Sequence, residues 1–285
     1  MQLIANNHIP LFDCVEVAAS KDDALFRHSL FFRQITCIAT SQGNNAAAEL
    51  LRETLRHLII KHEPLIGSLN YPQSVLTLIQ QEFDRIKEFV STEPADRFNL
   101  ELHSLRCDFR ILCFSRIPVG PNHIEIGGVP RSLFFRGGVS QTIRVFKMLR
   151  KTRGFMPFYQ THMSHDVNRY NFLRRSGPDA RDEVFRNIAH CLAINPGIRG
   201  FICSSWLNDP QLDQVSPHLA FYRRRPLQNG AFLFRYGATQ GAYRKALTNS
   251  VTRNAVFHQG RYIPTTCIVV WPRESLLRWA TDGES

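Results

Sequence analysis

Histidine is the side chain whose ordinary charge change lies nearest neutral pH, which draws attention to Phe158-Tyr-Gln-Thr-His162-Met-Ser-His165-Asp166. At a strand exit, two imidazoles three residues apart can turn toward one ion or substrate, and Asp166 can orient one of them. His162 alone suits a general base. His162, His165 and Asp166 as a metal site need a further ligand, for which His258, His218 and Asp209 are the candidates if the fold gathers them. A polar loop after a buried strand holds the same residues with no chemistry at all.

Three other segments carry candidate chemistry. Phe201-Ile-Cys-Ser204-Ser205-Trp206-Leu-Asn208-Asp209-Pro210 is an apolar strand running into hydroxyls, a tryptophan and an Asx-type turn. Polar groups at the carboxyl end of such a strand meet ligands in open α/β sheets, so Ser205 is a catalytic candidate and Trp206 and Asp209 are binding candidates. Without a Gly-x-Ser-x-Gly elbow no serine hydrolase triad is expected, and Asp209 taken alone reads as a turn or cap residue. Ala231–Tyr236 then enters Gly237-Ala-Thr-Gln-Gly241 and a helix with Arg244 and Lys245, where backbone amides suit an anion. Ser250-Val-Thr252-Arg253 adds two hydroxyls and a guanidinium, and Arg225 closes a basic cluster with Phe221 and Tyr222. Gly138–Gly154 is a basic amphipathic helix, suited to covering a sheet and also to lying on a membrane or a nucleic-acid backbone.

The elements that must position these residues follow from periodicity. Asn45–His62 and Ser74–Val90 repeat apolar residues at three- and four-residue spacing and predict amphipathic helices. Ser91–Arg97 breaks the pattern, dividing a mainly helical region 1–97 from a basic α/β region 98–285. Strands are expected at 108–118, 123–127, 132–136, 156–162, 198–206, 231–236 and 265–271. Helices are expected at 139–153, 180–193, 216–225, 241–259 and 273–280. Such alternation predicts an α/β or α+β fold with a mixed, partly parallel sheet covered by helices.

Charge follows the same division. Of 35 Lys and Arg and 24 Asp and Glu, residues 1–100 hold 9 and 12, whereas residues 101–285 hold 26 and 12. Only Lys147, Lys151 and Lys245 of those 26 are lysines, and arginine is the side chain suited to bidentate capture of phosphate. An anionic or phosphorylated small molecule or carrier protein is the expected partner; a nucleic acid is the less favoured one, since no ribonucleoprotein-type motif occurs. Seven cysteines without a Cys-x-x-Cys pair predict reduced thiols and a cytoplasmic protein. No apolar run approaches the roughly 20 residues of a bilayer span.

From about residue 188 onward, Asn195-Pro-Gly-Ile-Arg-Gly200, Ser205-Trp-Leu-Asn-Asp-Pro210 and Ile268-Val-Val-Trp-Pro-Arg273 resemble a group of bacterial proteins without an assigned activity. Over about 198–271 the order strand, helix, strand, long helix, strand is similar to the acyl-CoA-binding half of the GNAT N-acyltransferase superfamily. Thr252-Arg-Asn-Ala-Val-Phe257-His-Gln-Gly260-Arg-Tyr262 is similar to the ending of that superfamily's last helix, one residue short. Arg225-Pro-Leu-Gln-Asn-Gly230-Ala231 stands where its pyrophosphate loop would be. The resemblance implies acyl transfer from a phosphorylated thioester, acyl-CoA or an acyl carrier protein, to an amine or hydroxyl. His162 would then be the base, Ser205 and Trp206 would line the acceptor pocket, and basic residues around 223–253 would hold the carrier. A non-catalytic anion-binding adaptor and a His/Asp metal enzyme are the alternatives.

Overall fold

The first part of the chain is mainly helical, as expected. In the computed structural model, which describes residues 8–20, 23–163, 177–248 and 250–282, helices run from α1 (His8–Ala19) through α2 (Asp23–Arg27), α3 (Leu30–Gln42), α4 (Asn44–His62) and α5 (Gln73–Thr92) to α6 (His103–Leu112). Helix α4 buries Leu51, Leu55, Leu58 and Ile59, and α5 buries Val75, Ile79, Phe83, Ile86 and Val90. Ser29 caps α3 by accepting from the Phe32 N–H at 3.2 Å. Gly43, at φ 92°, turns the chain between α3 and α4 in a conformation that glycine adopts without steric cost.

Residues 108–118, expected as a strand, are instead the second half of α6 and the two-residue strand β1 (Ile117–Pro118). The largely apolar stretch Phe109–Phe114, interrupted by Arg110, suits a buried helix as well as a buried strand, so periodicity alone does not separate them. The helix also finds partners for its buried charges. Asp108 meets Arg85 of α5 at 2.5 Å, and Arg106 donates to the carbonyls of Leu100 and Glu101.

Contacts divide the chain into two compact units, Met1–Pro118 and Val119–Ser285. The longer strands follow β1: β2 (Asn122–Gly127), β3 (Phe158–Met163), β4 (Gly200–Ser205), β5 (Phe232–Gly237) and β6 (Thr266–Pro272). Between and after them lie α7 (Gly138–Thr152), α8 (Gly177–Ile194), α9 (Leu212–Val215), α10 (Phe221–Gln228), α11 (Gln240–Leu247), α12 (Val251–His258) and α13 (Arg273–Asp282). The fold is α+β. Its sheet is mixed, in the order β1-β2-β3-β4-β6-β5, with β3 parallel to β4 and the pairs β2–β3, β4–β6 and β5–β6 antiparallel.

Three further expected elements differ. Residues 132–136 form a 3-10 turn, Arg131–Phe135, that buries Leu133 and leaves Phe135 exposed. Residues 216–225 divide between a 3-10 turn at Pro217–Leu219 and α10. The single helix expected over 241–259 is two, because the Ser250 hydroxyl accepts from the Arg253 N–H at 3.2 Å and starts α12 afresh.

Each face of the sheet has its own cover. On one, Val145 and Met148 of α7 pack with Phe158, Ile202, Phe234, Ile268 and Val270. On the other, α8, α10 and α13 bury Phe185 against Trp271 and Trp279 at 5.2 and 6.0 Å. There the fully buried Arg181 guanidinium lies 4.4 Å from the Phe185 ring centre and 4.2 Å from that of Tyr222, and donates to Asn122 Oδ1 at 3.2 Å.

Candidate active site

Antiparallel register and the pleat place His162. His123 stands directly opposite His162, and Glu125 opposite Gln160, so all four side chains share the sheet face that α7 covers. Glu125 Oε1 lies 2.7 Å from His162 Nε2, a close contact without the alignment of a hydrogen bond. The imidazole is 33% exposed and the carboxylate 8%. A nearly buried carboxylate thus stands beside a histidine that still reaches solvent, an arrangement in which an imidazole can serve as a base and a carboxylate can position it.

The surroundings suit a ligand. The parallel pairing of β3 with β4 extends only over Tyr159↔Phe201 and Gln160↔Ile202. Beyond it β3 continues against β2 to Met163, and β4 continues against β6 to Ser205. His162 and the exposed Ser204 therefore occupy carboxyl ends of adjacent parallel strands that no shared register joins, which is where open sheets take their ligands.

Of the described residues singled out from sequence, only His162 stands at this position. Ser205 alternates with Ser204 onto the opposite face, where its hydroxyl accepts from the Leu207 N–H at 3.1 Å and caps the turn Trp206–Asn208. Trp206 is buried beneath the Arg253 guanidinium, 4.9 Å from the ring centre. Arg253 is itself buried and donates to the Ala246 carbonyl at 2.6 Å and to Ser216 Oγ at 3.1 Å. Asp209 accepts from the Gln211 N–H through Oδ1 and the Thr265 N–H through Oδ2, each at 3.0 Å; burial pushes its carboxyl pKa up against these bonds. Arg225 forks onto Asp182 of α8 at 2.8 and 3.2 Å, and both line a cavity of about 340 Å³ with Pro178, His218, Phe221 and Arg224. Ser250 is the cap already described, and Thr252 is exposed.

His165 and Asp166 lie outside the described residues. Among the described residues no group of three or more His, Cys, Asp or Glu is arranged to hold a metal ion. Several of the arginines expected to meet an anion are engaged within the protein. Besides Arg225 and Arg253, Arg223 and Arg224 pair with Asp213, Arg199 donates to the Met156 and Thr152 carbonyls, and Arg273 donates to those of Leu192 and Asn195. Arg244 and Lys245 remain exposed on α11, whose N-terminus Thr239 caps and which packs against the Trp206–Asn208 turn at the end of β4.

Glu125 and His123 are site residues that the sequence alone does not single out. Their signal is the alternation His123-Ile-Glu125-Ile, polar and apolar by turns along a segment recognised as a strand, but their meaning depends on β2 pairing with β3 in this register. No protein-family model matches the chain, no curated protein matches it, and no solved structure matches it.

Proposed function

We propose that the second unit is an acyltransferase that moves an acyl group from a phosphorylated thioester carrier, acyl-CoA or an acyl carrier protein, to an amine or hydroxyl acceptor. The observation that carries this reading is the His162–Glu125 pair, solvent-reaching with its partner carboxylate 2.7 Å away, at the carboxyl end of β3 beyond its parallel pairing with β4. With Nε2 buried against the carboxylate, Nδ1 is the nitrogen that takes the proton. The acceptor's lone pair attacks the thioester carbonyl carbon, forming the new C–N or C–O bond. His162 removes the acceptor proton, and collapse of the tetrahedral intermediate breaks the C–S bond and expels the thiolate, which is then protonated. A positioned base of this kind contributes typically 10²–10⁴-fold in rate.

The order strand, helix, strand, helix, strand from β4 to β6 supports the resemblance to the acyl-CoA-binding half of the N-acyltransferases, with its long helix divided into α11 and α12. The carrier's phosphates are assigned to Arg244 and Lys245 rather than to the engaged Arg223–Arg225 cluster. Ser204 replaces Ser205 as the hydroxyl on the face of the base. Melting curves recorded with acetyl-, medium- and long-chain acyl-CoA test the carrier: a concentration-dependent rise in Tm is expected for at least one chain length. Flat curves with all of them, together with no transfer from acyl carrier protein, would remove the thioester from the account.

A further inference from the structure

Helix α7 has two apolar faces, and among the described residues only one packs against the sheet. Gln141, Val145, Met148 and Thr152 form the buried stripe toward the sheet. Val139, Ile143 and Phe146, spaced four and three apart, form a second stripe centred roughly 150° away at about 100° per residue. They are 78%, 50% and 61% exposed, and Phe135 of the preceding turn is 89% exposed. Phe135 is held there: Gln141 Nε2 donates to the Leu133 carbonyl at 3.1 Å and Thr142 Oγ1 to the Phe134 carbonyl at 2.9 Å. The ring of Phe134 then bridges Phe135 and Phe146 with centroids at 6.4 and 5.2 Å. Such a row of large apolar side chains is an interaction surface, since sheet packing does not need it.

The charge around the row is of one sign. Residues 126–165 contain seven Lys and Arg and no Asp or Glu. Arg144, Lys147, Arg150, Lys151 and Arg153 are all exposed, and among the described residues none of them makes an ion pair. This contrasts with the engaged arginines of the α8–α13 region.

We infer that α7 and the turn before it form a docking face for an anionic lipid bilayer, with Phe135, Val139, Ile143 and Phe146 entering the headgroup boundary and the cations meeting lipid phosphates. Complementarity of charge supplies the anionic half of the inference: long basic side chains beside an apolar row are the composition of helices that lie in the membrane interface. The shape supplies the rest. The apolar side chains project from a convex helix with most of their surface in solvent. A deformable bilayer receives such projections directly, whereas a protein partner has to bring a matching groove and a nucleic acid gains nothing from the aliphatic groups.

Flotation of the full chain with vesicles tests this. Recovery is expected with phosphatidylcholine vesicles containing phosphatidylglycerol, is expected to fall steeply as salt is raised, and is expected to be lost with phosphatidylcholine alone. Phe135→Ala, at a position the fold does not pack, should lower the vesicle partition coefficient about tenfold. Neutralising Arg144, Lys147 and Arg150 together to Gln should lower it roughly a hundredfold, at about fivefold per charge. Phe146→Leu should retain most binding and Phe146→Ala should not, with unchanged melting curves for all variants. His162→Gln should bind vesicles as the parent does, which keeps this inference separate from the acyl-transfer reading. Equal partition onto neutral and anionic vesicles, no partition onto either, or capture by an acidic protein or a nucleic acid with vesicles left unbound would each overturn it.

Discussion

Asp209 shows how a residue with the right chemistry in the wrong surroundings becomes structural. Both its oxygens are taken by backbone N–H groups that β4's exit turn and the approach to β6 would otherwise leave buried and unpaired. Asp209→Asn keeps one acceptor and turns a donor toward the Thr265 N–H, so a loss of about 1–3 kcal/mol in stability is expected by denaturant titration, with kcat and KM of the folded protein unchanged. Its titration has a defined sign. Burial is the largest influence and raises the folded-state pKa above the unfolded value of about 3.9, so between those two values the folded chain binds more protons. Asp209 therefore contributes stability that falls as pH rises through that window. Asp209→Asn should remove this contribution, read as a flatter difference curve of stability against pH. His162, by contrast, combines access to solvent with a carboxylate 2.7 Å away. Its own position at a strand exit was legible from sequence, but its partner was not, because Glu125 lies 37 residues earlier and reaches it only through the β2–β3 register.

At the scale of elements, periodicity located β2 through β6 and helices α4, α5, α7, α8 and α13 to within a few residues. It failed where a short apolar run suits either structure, as in α6, and where a local cap interrupts a continuous pattern, as between α11 and α12. Neither failure is visible in residue types alone, since each is decided by long-range partners or by one hydroxyl. Strand pairing imposes a constraint that sequence also conceals. Gly200, at φ 149°, opens β4 where a Cβ would press into the Trp271 carbonyl oxygen and crowd the Arg273 N–H. Gly200→Ala should thus cost about 1–3 kcal/mol by forcing β4 and β6 apart, and a lowered melting temperature of the second unit would report it. The same loss should appear in activity only as less folded protein, because Gly200 lies at the opposite end of β4 from Ser204.

Across the whole molecule, the contrast between an acidic first part and a basic second part resolves into arginines with different duties. Those of α8, α10, α12 and α13 tie elements together, whereas those of α7 face outward without ion-pair partners among the described residues. The cysteines divide in a comparable way. All seven are free thiols; Cys37 is exposed, while burial pushes Cys113, Cys191 and Cys267 up to about 12. Iodoacetamide at neutral pH should label Cys37 in the native protein and leave those three unmodified until the chain is unfolded, as peptide mass spectrometry would record.

The most direct test of the central claim compares the parent protein with His162→Gln in transfer of a labelled acyl group from the best acyl-CoA or acyl carrier protein donor to a panel of amines and alcohols, after both are shown to melt alike. Acylated product is expected from the parent and a fall of about 10²–10⁴-fold for His162→Gln, with a smaller fall for Glu125→Gln, which leaves the imidazole in place. Equal rates for the parent and His162→Gln, or no product from the parent with any donor, would contradict it.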